Sequence, residues 1–93
     1  MIATDTIIGL AKKTIETERD AIAQLSSLLT DDFASIVNCI IQAKGRVIIS
    51  GIGKSAIIAT KIVATLNSTG TPAIFMHAGD AIHGDLGTVQ DND

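Results

Sequence analysis

Tryptophan and tyrosine are absent from this chain, and Phe33 and Phe75 are its only large aromatic residues. An aromatic platform for stacking bases or sugar rings is therefore not expected. Cysteine is also scarce. Cys39 stands alone, so no intrachain disulfide can form and nothing points to secretion. Basic residues are outnumbered, 7 Lys and Arg against 10 Asp and Glu, and the formal charge of −3 argues against a nucleic-acid partner. The N-terminus lacks a basic segment followed by an apolar core, and no apolar run approaches the roughly 18 residues of a membrane span. These shortages lead to the expectation of a cytoplasmic domain with neither a membrane nor a nucleic-acid partner.

What the chain does have is aliphatic bulk. Its hydrophobic fraction of 46% is nearly all Ile, Ala, Val and Leu, a mixture suited to a parallel sheet covered by helices. Ile8, Ala11, Ile15, Ile22, Leu25 and Leu29 recur at three- and four-residue steps, which predicts a helix from about Thr6 to Leu28. Its stripe suits packing on another subunit or on its own domain. Thr30, Asp31 and Asp32 offer a cap and acidic first turn to a second helix, with Phe33, Ile36, Val37, Ile40 and Ile41 as its apolar stripe and Gly45 as its stop. Cys39, beside that stripe, is expected to be a small buried side chain.

The run from Arg46 to Ser50 is β-branched and bounded by glycines, so it reads as a central parallel strand. Ser55 to Asn67 reads as a helix with Ile58, Ile62 and Leu66 on one face, and the residues from Ala73 to Met76 as a second strand. An irregular, glycine-punctuated tail is expected after that. The order implies an α/β fold with parallel strands preceded by two helices: a helical region over 1–44, then the first βαβ part of a larger sheet domain over 45–93. Two parallel strands leave both edges open, so the chain is expected to be the N-terminal part of a larger domain.

Chemistry concentrates where the first strand turns into its helix. Gly51 and Gly53 let backbone N–H groups approach an anion, the helix N-terminus adds partial positive charge, and Ser50, Ser55 and Lys54 add hydroxyls and a full charge. Ligands of open α/β sheets bind at this carboxyl end of the strands. A Walker A loop is excluded, since Ile48 stands where its first glycine is needed. A dinucleotide fingerprint fits loosely, but Met76 and His77 end the second strand in place of an acidic residue. His77 and His83 fall near the same sheet edge, where imidazole suits proton transfer. Asp80 and Asp85 offer partners for these rings or caps for short turns. No spacing among them is a metal motif.

GRVIISGIGKS, then STGTPAIFMH, then HGDLG, in this order and spacing, closely resembles the sugar isomerase (SIS) domain of D-arabinose 5-phosphate isomerases. The resemblance implies a flavodoxin-like three-layer αβα fold and interconversion of ribulose 5-phosphate and arabinose 5-phosphate, on the route to the octulosonate sugar of lipopolysaccharide. It further implies no organic cofactor, and a homotetramer with sites built between subunits. Carried over by motif, Lys54 and His83 become catalytic residues and Ser55 supports the site. The turn chemistry adds Ser50, Gly51 and Gly53 with Ser55 as phosphate or substrate contacts, and the strand-end position adds His77 and Asp85 as further candidates. The family's glutamates fall outside 1–93, so this segment alone is expected to be catalytically incomplete. Ala78 and Asp80 stand where family members often have Pro and Glu. The alternative is a non-catalytic phosphosugar-binding module of a regulator, although 1–44 contains no basic recognition helix.

Overall fold

The computed structural model describes all residues from Met1 to Asp93. They form two compact units, Met1–Ile36 and Val37–Asp93. The first contains α1 (Thr4–Leu25), a 3₁₀ turn (Ser26–Leu28) and the start of α2 (Asp31–Gln42). With 22 residues α1 is about 33 Å long. Its first turn is closed by N–H groups of Thr6 and Ile7 donating to the Ala3 carbonyl, both at 3.1 Å. The helix thus starts two residues earlier than its apolar repeat predicts, and its last turn tightens to 3₁₀ geometry. No residue of α1 is buried. No helix of the chain is long and apolar enough to cross a membrane.

The second unit holds the end of α2, β1 (Val47–Gly51), α3 (Lys54–Ser68), β2 (Ala73–His77), α4 (Ala78–Ile82) and a 3₁₀ turn (Asp85–Thr88). The strands pair in parallel, in register from Val47 opposite Ala73 to Gly51 opposite His77. Both are mostly half-buried, with Ala73 buried and Ser50 exposed. The core is small: Ala56, Ala59 and Val63 of α3 and Ala73 of β2.

Three expectations are corrected here. The inward face of α3 is Ala56, Ala59 and Val63, whereas Ile58 and Ile62 are 63% and 44% exposed. Both ends of the helix fix its rotation. At the N-terminal end, a Cβ on Gly51 would lie 3.2 Å from the Ala56 nitrogen, tighter than an ordinary contact, so glycine lets the helix start sit this close to the strand. At the other end, the Asn67 side chain grips Ala73, its Nδ2 donating to the Ala73 carbonyl at 2.9 Å and its Oδ1 accepting from the Ala73 N–H at 2.8 Å. Cys39 is exposed. Neighbouring helical residues point about 100° apart, and the half-buried position belongs to Ile40. The tail is ordered into α4 and a 3₁₀ turn rather than irregular.

Gly45 also has a reason beyond ending a helix. α2 stops at Gln42, and the space a Cβ on Gly45 would need is filled by the backbone of Asn92. Arg46 fastens the same segment. Its Nη2 donates to Asp93 Oδ2 at 2.7 Å and to the Thr88 carbonyl at 3.0 Å, while its Nε and backbone N–H both reach Asp93 Oδ1. The Asp93 carboxylate is 3% exposed and also accepts from the Gln90 N–H at 2.9 Å. These bonds, Arg46 first, hold its carboxyl well below the usual carboxylate range and raise Arg46 in turn.

Candidate active site

Parallel pairing is what assembles the candidate site. Gly51 and His77 are register partners at the ends of β1 and β2, and neighbouring strands lie about 4.8 Å apart. The turn after β1 and the helix after β2 therefore leave the sheet side by side, at its carboxyl edge.

The β1 turn is built on Gly53, the residue preceding α3, whose φ of 62° and ψ of −134° lie in territory that other residues avoid. This sharp turn starts α3 at Lys54, directly over the strand end. Lys54 and Ser55 are thus the first two helical residues, whose N–H groups an α-helix leaves without intrahelical carbonyls. The Ala56 N–H is closed onto the Gly53 carbonyl at 3.1 Å. Over fifteen residues α3 has no acidic residue in its first turn, so nothing in that turn neutralises the positive end of its dipole. Ser50, Lys54 and Ser55 are exposed. A backbone N–H pair, two hydroxyls and an ammonium group on one open turn form a surface suited to a phosphate or another compact anion.

Across from this turn, α4 follows its capping residue His77 and ends before His83. The His77 ring Nδ1 accepts from the Gly79 N–H at 3.0 Å and so caps the helix. Among the candidate side chains, only that of His77 is held by a hydrogen bond. His83 stands one short helix away, its backbone N–H donating to the Asp80 carbonyl at 3.0 Å, and its ring is exposed. Asp85 opens the following 3₁₀ turn and is exposed too. The strand ends thus bring together Gly51, Gly53, Lys54, Ser55 and His77, while Ser50 lies one residue back, opposite Met76. His83 and Asp85 follow on the segment that α4 carries. No enclosed cavity lies over this edge, and no three of the His, Cys, Asp and Glu side chains gather closely enough to hold a metal.

Sequence reading missed the histidine cap and α4 itself. The only available signal was the Ala78-Gly79-Asp80-Ala81 stretch after a strand-ending histidine, too short for any periodicity to show.

The chain matches the SIS domain family over residues 39–93. It is 46% identical over 90 residues to the arabinose 5-phosphate isomerase GutQ of Salmonella typhi, an alignment covering 97% of this chain and 28% of that protein. It is 45% identical over 86 residues to the arabinose 5-phosphate isomerase KdsD of Pseudomonas aeruginosa, covering 92% of this chain and 26% of that protein. The chain therefore spans less than a third of the length of these curated relatives. Among solved structures, Escherichia coli CFT073 c3406 in complex with arabinose 5-phosphate superimposes with a TM-score of 0.92 at 37% identity, covering 99% of this chain and 49% of that one. The agreement extends to the α/β architecture with parallel strands and the helices that precede them.

Proposed function

The chain belongs to the SIS domain family, and on that premise we propose that its protein interconverts D-ribulose 5-phosphate and D-arabinose 5-phosphate. The observation that carries this reading is the shared strand end, with Gly51 and His77 in register and the anion-suited turn beside the histidine-bearing segment. Similarity to arabinose 5-phosphate isomerases along nearly the whole chain supports the same chemistry. The arabinose 5-phosphate complex of a 37% identical protein supports a phosphosugar as the ligand.

In this mechanism the free N–H groups at the start of α3, the backbone of Gly51 and Gly53, and the hydroxyls of Ser50 and Ser55 hold the phosphate. Lys54 lies toward the sugar oxygens. In the aldose-to-ketose direction the C2–H bond breaks, and its electron pair forms the C1=C2 bond of an enediolate as the carbonyl oxygen gains charge. The proton is then delivered to C1 and C2 becomes the ketone. One carbon is oxidised and its neighbour reduced, so the exchange balances without an external oxidant. The Lys54 ammonium stabilises the charge that grows on oxygen. The His83 imidazole opens the sugar ring or moves a proton between the oxygens. By the family resemblance, the base acting on carbon is a glutamate outside residues 1–93. The reading extends to a cytoplasmic homotetramer that supplies arabinose 5-phosphate for 3-deoxy-octulosonate and lipopolysaccharide synthesis.

The test uses the full-length protein and follows ribulose 5-phosphate conversion by proton NMR in D2O, where deuterium entering at the reacting carbon reports the enediol. Lys54→Ala and His83→Ala should each lower kcat/KM on the order of 10²–10³-fold while circular dichroism stays unchanged. A wild-type protein that leaves the sugar unaltered would overturn the proposal. Folded variants with normal turnover would remove Lys54 or His83 from the mechanism.

A further inference from the structure

The His77 ring is restrained on several sides. Its Nδ1 accepts from the Gly79 N–H at 3.0 Å. It forms a T-shaped pair with Phe75, the ring centroids 6.4 Å apart and the planes at 84°. Gly79 closes against it so tightly that a Cβ there would stand 3.1 Å from Nδ1 and 3.2 Å from Cε1. With the Nδ1 lone pair engaged, the neutral ring carries its proton on Nε2. Protonating Nδ1 would set one N–H against another and break the cap. This nitrogen is thus committed as an acceptor.

The consequence lies in what the cap holds. α4 has only five residues, far below the length at which a helix persists on its own. It depends on its cap and on packing against β2 and the 3₁₀ turn that follows it. Its far end is His83, whose backbone N–H closes the last turn onto Asp80. The placement of His83 is therefore inherited from the start of α4, and that start is pinned to the site by the pairing of His77 with Gly51.

We infer that His77 is a positioning residue: by capping α4 through Nδ1 it fixes where His83 stands relative to the Lys54 turn, and it does not itself carry a proton in the reaction. This assignment rests on the isomerase reading above. Three variants of the full-length protein test it. His77→Asn keeps a side-chain acceptor of the type favoured at helix caps and removes the imidazole. His77→Phe keeps an aromatic ring beside Phe75 and removes the acceptor, and His77→Ala removes both without adding bulk.

The expected result is that Phe and Ala lower kcat on the order of 10²-fold, as misplacement of a reacting group does, with KM little changed. Asn should rescue the turnover they lose. Amide exchange at Ala81 and His83 should accelerate in Phe and Ala and not in Asn. An Asn variant as impaired as Phe, with normal exchange, would overturn the inference by making the imidazole itself chemical. Phe and Ala variants with full turnover would overturn it from the other side. If the wild-type protein did not isomerise the sugar, the functional reading would fall and the positioning role with it, while exchange would still report whether the cap exists.

Discussion

Asn67 contributes a side-chain amide where another strand would contribute backbone. The Val47 N–H donates to the Pro72 carbonyl at 2.8 Å, and backbone groups alternate in direction along a strand, so the N–H and C=O of Ala73 point away from β1. Asn67 satisfies both, at 2.8 and 2.9 Å, and closes that stretch of the outer edge of β2 to strand addition. Ala73 is only 5% exposed, so water has poor access to replace these bonds. Asn67→Ala should therefore lower the unfolding free energy of the full-length protein by about 1–3 kcal/mol, the range for orphaned buried polar groups. Asn67→Asp should recover little of it, because it sets a carboxylate oxygen against the Ala73 carbonyl. Urea denaturation would check this, and an Ala variant as stable as the wild type would show that the bracket contributes nothing net.

The helices behave differently according to how much of their placement is local. The turn leading to Lys54 was legible because its requirements are local: a strand of β-branched residues, Gly51 for close approach, Gly53 for positive φ, then helix formers. The parallel pairing was legible from the strand–helix–strand order, and the position of His77 from the end of the second apolar run. The face of α3 was not. Ile57, Ile58 and Ile62 look more apolar than Ala56 and Ala59, and periodicity alone gives preference to bulk. Close helix-to-sheet contact instead selects the small residues, and the rotation is set by Gly51 and Asn67, which lie beyond both ends of the repeat. α4 escaped because five residues carry no period, and its cap is a histidine outside the usual capping set. That helix offers a prediction at its own scale. Ala78 is its first residue, a position where proline is favoured since the N–H there lacks an intrahelical partner anyway. The preceding His77 has φ −61° and ψ 130°, the extended conformation proline requires of its neighbour. Ala78→Pro should be tolerated and should stabilise the protein by about 0.4–1 kcal/mol through the unfolded chain. Thermal melting would register this as a rise in Tm, and a fall would mean that the first turn of α4 departs from the proline geometry.

For the whole molecule, the distribution of apolar surface is the decisive quantity. The core of the second unit consists of three alanines and a valine, while in the first unit Ile8, Ile15, Ile22 and Leu25 are about half to two-thirds exposed along α1. Fully burying one such side chain contributes roughly 1.5–3 kcal/mol, so a face of four is a large unused contribution. Lys12, Lys13, Glu16 and Arg19 lie largely between these residues, which leaves the stripe continuous and edged by charge, the pattern of a helix that packs along one seam. On the homotetramer reading, that seam is covered by helices of other copies. The intact protein should then have a tetrameric mass by light scattering coupled to gel filtration. Ile15→Glu combined with Ile22→Glu places two carboxylates in the seam, and desolvating them there is unfavourable enough to dissociate the assembly. The substituted protein should elute as a smaller species while circular dichroism keeps its helical content, because within residues 1–93 both positions are exposed. A wild-type protein that runs as a monomer would refute the tetramer. A doubly substituted protein of unchanged mass would move the interface away from this face of α1.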